Sequence, residues 1–218
     1  MPERALASVT AQQAKASRLS QPHIVRLEEY RETVGRRVSK DLPRFDPDDG
    51  GTHARIAFVL ESPGPKAVDT AFISRENPDF SATYMRRFLE DAEIARKDTL
   101  LWNIVPWYLG KGDAAKPTKA ERDQGYALLV ELLDLLPRLQ VVVLVGGVSQ
   151  GTAKSRLEST GKYVVTTAYH PSPRVCNSPS RRRVAQLHYR AAAALLYGRG
   201  VDWILDREDI AGAQTKTA

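Results

Sequence analysis

The sequence predicts an α/β domain in which a mostly parallel, four-stranded sheet is sandwiched between helices. Four short runs of β-forming residues alternate with longer amphipathic segments, which is the order that parallel strands with helical connections require. One run, VVVLVGG at 141–147, is apolar on both faces and therefore indicates a central strand. With 218 residues, of which 42% are apolar, the chain is long enough to bury one core of this kind.

The individual elements follow from hydrophobic spacing and from turn residues. The predicted strands are RIAFVLES at 55–62, TLLWNIVPW at 99–107, VVVLVGG at 141–147 and YVVTTAYH at 163–170. Helical spacing of apolar residues predicts helices at 21–38, 81–95, 118–137, 148–160 and 181–198. The segment DLPRFDPDDGG at 41–51 is rich in Pro, Asp and Gly, so we expect a turn-rich connector there.

The two ends of the chain lack these patterns. Residues 1–20 are polar and rich in Ala, Gln and Ser, which predicts a flexible arm or a loose helix. Residues 21–200 form the predicted single domain, including its N-terminal helix, and residues 201–218 are expected to be a disordered tail.

The composition limits the classes of function. The 32 Lys and Arg residues outnumber the 26 Asp and Glu residues, and the resulting net charge of +6 favours a polyanionic partner. Cys176 is the only cysteine, which excludes an internal disulfide, a zinc ribbon and a cysteine-held iron–sulfur cluster. No apolar run reaches the roughly 20 residues of a membrane helix, and the N-terminus lacks the apolar centre of a secretion signal. We therefore expect a cytoplasmic monomer, nucleoid-associated if bacterial, that has no membrane partner.

Polar side chains lie at the predicted carboxyl ends of the strands, where sites form in open parallel sheets. They are Glu61 and Ser62 on the first strand, Asn103 on the second and His170 on the fourth. Neither a G-x-S-x-G elbow nor a second histidine near a strand end accompanies them, and the phosphate-loop and dinucleotide glycine patterns are missing. One histidine and one carboxylate are too few to hold a metal. We expect no cofactor and no metal, and the pattern favours a hydrolysis driven by electrostatics and hydrogen bonds beside a basic loop.

Three segments occur in a fixed order at strand ends: VLESPGP at 59–65, LLWNIVPW at 100–107 and HPSPR at 170–174. Together they resemble the three signature segments of the uracil-DNA glycosylase superfamily, and the resemblance covers roughly residues 55–198. It implies a four-stranded parallel sheet between helices, in agreement with the pattern above. It also implies a DNA partner, single-stranded or mismatched, from which uracil or another deaminated base is flipped out and hydrolysed, initiating base excision repair.

The resemblance assigns roles to three residues. His170 matches the histidine that donates to the uracil carbonyl oxygen and stabilises the departing base as an anion; the alternative is a capped histidine at a strand end. Asn103 matches the asparagine that reads the base edge, since an amide pairs with both a carbonyl and an N–H; the alternative is a cap of the strand-to-loop turn. Phe72, in TAFIS, resembles the aromatic residue that stacks on the base, and its alternative is a place in the core.

The first segment departs from the best-known members of the superfamily. They carry Asp or Asn, which positions the attacking water, where this chain has Ser62, and glycine where it has Leu60. Glu61 lies one residue earlier, as in a branch whose segment reads G-E-A-P-G, so the resemblance places the water and the oxocarbenium-like charge at Glu61. That branch holds an iron–sulfur cluster through four cysteines, which this chain lacks. Two other hypotheses stay open: a weak or inactive module that binds damaged or single-stranded DNA, and an enzyme acting on a free nucleoside or on RNA.

Contacts to DNA are expected from two loops. The turn Pro63, Gly64 and Pro65 would let the backbone approach the DNA strand, with an ordinary tight turn as the alternative. Ser172 belongs to H-P-S-P, and Arg174 follows where the family often carries a wedge residue, although holding a phosphate is the commoner role of an arginine. A basic cluster at the start of the last predicted helix forms a phosphate site or, alternatively, a solvated helix end. Its members are Arg181, Arg182 and Arg183.

Overall fold

A computed structural model describes residues 4–110 and 116–205 of the chain. Its strands are β1 Arg44–Phe45, β2 Ile56–Leu60, β3 Phe72–Ile73, β4 Thr99–Asn103, β5 Val141–Val145 and β6 Val164–Ala168. Its α-helices are α1 Val9–Ala16, α2 Val25–Val38, α3 Pro65–Thr70, α4 Phe80–Asp91, α5 Lys119–Leu133, α6 Gly147–Glu158, α7 Pro173–Cys176, α8 Pro179–Tyr197 and α9 Val201–Ile204. Short 3-10 helices occur at Ala5–Ala7, Gly51–His53 and Arg96–Asp98.

The predicted α/β class is confirmed. Strands β4, β2, β5 and β6 lie side by side in that order, and every neighbouring pair is parallel. β2 and β5 are central, and β5 is buried along its whole length, as its two-sided apolar sequence predicts. The chain moves from β2 to β4 on one side and then, through α5, to β5 on the other side. The strand order therefore reverses between β2 and β5, and sheets of this type bind ligands beyond the carboxyl ends of the strands at such a point.

Aromatic rings anchor other elements to both faces of the sheet. The ring centroid of Phe58 in β2 lies 5.7 Å from that of Tyr189 in α8, which lies 5.1 Å from that of Phe88 in α4. The ring of Trp102 in β4 stacks on Phe45 of β1, with centroids 4.9 Å apart. In the register of β2 and β4, Trp102 lies opposite Val59, the residue after Phe58. Phe58 and Trp102 are therefore one position apart, and their side chains point to opposite faces of the sheet. The two ring clusters thus hold packed layers on either side of the sheet.

Residues 4–20 differ from the flexible arm that the sequence predicts. They form a 3-10 turn and helix α1, and the side chain of Lys15 is completely buried. The Lys15 ammonium lies 2.6 Å from Asp46, 2.5 Å from Asp48 and 3.0 Å from Glu76. Charge pairing is the physical reason for the difference, because the Lys15 ammonium shares with Arg96 the compensation of carboxylates whose burial is otherwise costly. The domain boundaries at residues 20 and 200 stay predictions.

The aspartate-rich connector is more structured than predicted. It contains β1, which pairs in parallel with β3 in a separate two-stranded sheet. Its aspartates join a buried ion-pair network with Lys15 and Arg96, in which Arg96 lies 2.8 Å from Asp46. Oxygen atoms of Asp46, Asp48 and Glu76 converge within 4.8 Å, and both the Lys15 ammonium and the Arg96 guanidinium form ion pairs with all three.

The predicted C-terminal tail begins with the short helix α9, and residues 206–218 lie outside the described part of the chain. No helix within residues 4–110 and 116–205 combines the length and the apolar character needed to cross a membrane.

Candidate active site

A cavity of about 450 Å³ opens at the carboxyl edge of the main sheet. Its walls come from the ends of β2 and β4, from the segment between β2 and the first turns of α4, and from the chain that follows β6. The predicted site residues in its lining are Ser62, Pro63, Gly64, Pro65, Asn103 and His170. The structure therefore brings together residues from three separate strand ends, whereas Glu61 and Phe72 are not part of this lining.

Asn103 is the last residue of β4 and is only 4% exposed. It lies opposite Leu60 in the parallel ladder, and both residues line the cavity. Helix α5 fixes the chain beyond it, because Gly125 packs so closely that an added Cβ would lie 1.8 Å from the carbonyl oxygen of Ile104. The Oδ1 atom of Asn103 is buried and has no hydrogen-bond partner among the described residues. Since an unpaired buried acceptor costs about 1–3 kcal/mol, this oxygen is suited to accept a hydrogen bond from a ligand.

His170 follows β6 and lies half-buried in the cavity wall. The end of β6 is held by its Ala168 carbonyl, which accepts the Gly146 N–H at 2.9 Å and the Gln150 side-chain amide at 3.0 Å. Gly146 has a φ of +88°, and a Cβ there would lie 3.2 Å from the Cβ of His170, so glycine leaves room for the imidazole. The Ser172 N–H donates to the His170 carbonyl at 2.8 Å and closes the H-P-S-P turn. Burial lowers the pKa of His170 below 6.5, so the ring is uncharged at neutral pH and offers one N–H donor.

The two candidate residues of the first segment lie in different places. Ser62 lines the cavity, as does Leu60, whereas Glu61 between them does not. This agrees with the alternation of side chains along an extended chain. Glu61 is half-buried, and burial raises the pKa of its carboxyl group. The structure thus does not bring the Glu61 carboxylate to the cavity wall that holds Asn103 and His170.

Phe72 lies in β3 and is 1% exposed, outside the cavity lining. This agrees with the alternative of a place in the core. The aromatic ring in the cavity wall is that of Phe80 at the start of α4, and it stacks on Tyr84 with centroids 4.7 Å apart. No local pattern in the sequence singles out Phe80, because its position depends on how α4 packs over the strand ends.

The arginines of the basic loop have different environments. The loop contains the short helix α7, and α8 begins at Pro179, two residues before the predicted start. Arg174 and Arg181 are exposed. Arg182 donates to the carbonyl oxygen of Cys176 at 3.2 Å and so braces α7 against α8. Arg183 is half-buried and takes part in further interactions.

A second histidine lies beside the end of β6, so the expectation that none lies near a strand end is wrong. His188 of α8 accepts the backbone N–H of Tyr169 through Nδ1 at 3.3 Å, and the two rings meet edge-on with centroids 4.9 Å apart. Periodicity could not find it, because His188 lies in the middle of a helix that only the tertiary fold brings to this strand end.

The cavity also contains polar side chains that the strand-end pattern did not include. They are Lys66, Ser74, Arg75, Asn77, Asp79 and Ser81. Arg75 is 5% exposed and lies 3.2 Å from Asp49. Through Asp49, which Arg96 also contacts at 3.0 Å, one wall of the cavity is continuous with the buried ion-pair network.

In this parallel α/β sheet, an unpaired amide oxygen and a neutral imidazole line one cavity where the strand order reverses. This arrangement defines a ligand-binding domain of the doubly wound class. The family model of the uracil DNA glycosylase superfamily matches residues 47–192, more than half of the chain. The chain belongs to this superfamily, as its three strand-end segments predict. No curated protein matches it. Membership supports a glycosylase type of hydrolase that acts on DNA.

Proposed function

We propose that the protein is a monofunctional DNA glycosylase that hydrolyses the N-glycosidic bond of uracil, or of another deaminated base flipped out of DNA, and so initiates base excision repair. The observation that carries the proposal is the buried, unpaired Oδ1 of Asn103 in the cavity wall. A flipped base would supply the missing hydrogen-bond donor.

Base selection follows from the chemistry of the Asn103 amide. The uracil edge carries an N–H donor beside a carbonyl acceptor, and an amide offers the matching acceptor and donor. Cytosine carries an acceptor in place of that N–H and an amino group in place of that carbonyl. With the amide in the orientation of the structure, cytosine would set its own acceptor against Oδ1, which would stay unpaired at a cost of about 1–3 kcal/mol.

The leaving base needs stabilisation because it departs with the electron pair of the broken bond. The neutral His170 ring can donate an N–H to a base carbonyl oxygen where this charge develops. The hydrogen bonds at the end of β6 and the turn through Ser172 hold the His170 backbone before the substrate arrives. The Phe80 ring in the same wall offers a face on which the base can stack.

Replacement of Asn103 by alanine is expected to lower uracil excision by about 10²-fold or more, because the bound base loses its matched hydrogen bonds. The measurement is the single-turnover rate on fluorescent oligonucleotides carrying uracil, hypoxanthine, xanthine or thymine, single-stranded and mismatched, with alkaline cleavage of abasic sites. The matched control is Asn177→Ala, since Asn177 is exposed beside α7. An unchanged rate in Asn103→Ala would remove this residue from base recognition. DNA binding by the unaltered chain without excision of any base would instead favour the inactive binding module.

Arg181→Ala is expected to weaken DNA binding by a similar factor for all sequences, because an exposed arginine at this loop contacts phosphate rather than a base edge. Because the variant loses about one phosphate contact, the slope of log Kd against log salt should change by about 0.7–0.9. Arg138→Ala removes the same charge from an exposed position away from the cavity and serves as the control. Equal salt slopes for the Arg181 variant and the parent would contradict a role of this arginine in DNA binding.

A further inference from the structure

The cavity contains a carboxylate that the resemblance does not assign. Among the residues that line it, Asp79 is the one with a carboxyl group. Ser62 occupies the place where other members carry a water-positioning group, and Glu61 lies outside the lining. A carboxylate at the reacting carbon would serve this hydrolysis, because it can orient the water and stabilise the oxocarbenium-like sugar.

Asp79 is held in a defined position with one oxygen in use. It is the N-cap of α4, and its Oδ1 accepts the Ala82 N–H at 2.9 Å. In the described part of the chain, no hydrogen bond to its second oxygen, Oδ2, is formed. The residue is half-buried, and its neighbours Phe80 and Ser81 also line the cavity. One oxygen therefore fixes the side chain, and the other is available to a ligand.

The same cavity shows a second, independent sign that it is built for a ligand, the buried and unpaired Oδ1 of Asn103. An N-cap requires one accepting oxygen, which Ser, Asn or Asp supplies about equally well. Capping therefore does not by itself require a carboxyl group at Asp79, and hydrolysis of a base bound at Asn103 would use one.

We propose that Asp79 of α4, rather than Glu61 of the first segment, is the catalytic carboxylate of this chain and positions the attacking water. This inference rests on the glycosylase function proposed above. As the bond from C1′ to the base nitrogen breaks, its electron pair leaves with the base, and Asp79 stabilises the positive charge on the sugar. Water adds to C1′, and its proton passes to Oδ2 of Asp79 and then to solvent. The base anion takes up a proton, so the products are an abasic sugar and the neutral base.

The test is the Asp79→Asn variant, because asparagine keeps the N-cap of α4 and removes the carboxylate. Single-turnover excision of uracil from a single-stranded oligonucleotide is expected to fall by about 10²–10⁴-fold, with Kd for the same DNA changed less than about threefold. Asp79→Ser also preserves a capping oxygen, so it replaces the first variant if that one unfolds. Asp69→Asn changes an exposed aspartate of α3 and is expected to keep the parent rate. Glu61→Gln decides between the two carboxylates and is expected to lose far less activity than Asp79→Asn.

Each outcome decides the assignment. An active parent chain whose Asp79→Asn and Asp79→Ser variants keep their rates, or whose Glu61→Gln variant is the inactive one, overturns the role of Asp79 and leaves the proposed function standing. A parent chain that binds DNA but excises no base overturns the proposed function and this inference with it.

Discussion

His170→Asn is expected to slow uracil excision by about 10²–10³-fold while DNA affinity stays nearly unchanged. Removing one preorganised donor to a developing anion has an effect of this size, and His170 lies in the cavity wall rather than in the basic loop. Single-turnover rates and Kd values on the same uracil-containing oligonucleotide check both statements. His53→Asn, at an exposed histidine outside the cavity, is the matched control. A His170 variant with the parent rate would remove the imidazole from the mechanism.

The pH dependence of the parent enzyme follows from the same residue. Because burial lowers the pKa of His170 from 6.5, the neutral donor predominates at neutral pH. The rate ratio of parent to His170→Asn should therefore change little between about pH 7 and 8 and change as the pH falls through the lowered pKa. The free energy of unfolding also depends on pH through His170. Below pH 6.5 the unfolded chain binds a proton at this residue that the folded chain resists, so His170 lowers the free energy of unfolding as the pH falls.

Lys15→Met is expected to destabilise the protein by about 3–5 kcal/mol, the usual cost of removing one partner from a buried ion pair. The variant removes the ammonium that pairs with Asp46, Asp48 and Glu76 and leaves these buried carboxylates to the arginines of the network, chiefly Arg96. Denaturant unfolding measures the change in the free energy of unfolding. Lys97→Met, at an exposed lysine, should change it by less than about 0.5 kcal/mol. A loss below about 1 kcal/mol for Lys15→Met would contradict the structural role assigned to the N-terminal segment.

Acid should weaken this network through Asp48. Although burial alone would raise it, hydrogen bonds from Arg18 and Lys15 hold the pKa of Asp48 well below its usual value of 3.8. The unfolded chain therefore binds a proton at Asp48 before the folded chain does, and the stabilising contribution of this pair is lost as the pH falls below 3.8. In the Lys15→Met variant, the loss of stability with falling pH that arises from Asp48 should be smaller.

The main sheet could be predicted because its strands are short, buried apolar runs whose signal is local. The position of Asn103 and His170 in one cavity could be predicted for a related reason, since the carboxyl ends of parallel strands meet at one edge. The burial of Lys15 could not be predicted. A lysine in a polar segment gives the same sequence pattern whether it is solvated or paired with carboxylates about thirty or more residues away. Asp79 and Phe80 reach the cavity only through the packing of α4, which no sequence period records.

The different positions of Glu61 and Ser62 show most clearly which part of the site could not be predicted from the sequence. Neighbouring residues at a strand end point in different directions, so a shift of one residue decides which side chain enters the site. The motif places a carboxylate at this turn, but the structure directs Ser62 to the cavity and leaves Glu61 outside its lining. Which of these two side chains reaches the cavity therefore depends on geometry that the motif alone does not contain.

The most direct test of the proposed function is chromatographic detection of free uracil. The unaltered chain and the His170→Asn variant are incubated in parallel with single-stranded and U:G-mismatched oligonucleotides. We expect release of one uracil per substrate strand and an abasic site in the product, both strongly reduced in the variant. Binding of both oligonucleotides without release of any base would contradict the proposed glycosylase function and identify the cavity as a recognition site without chemistry.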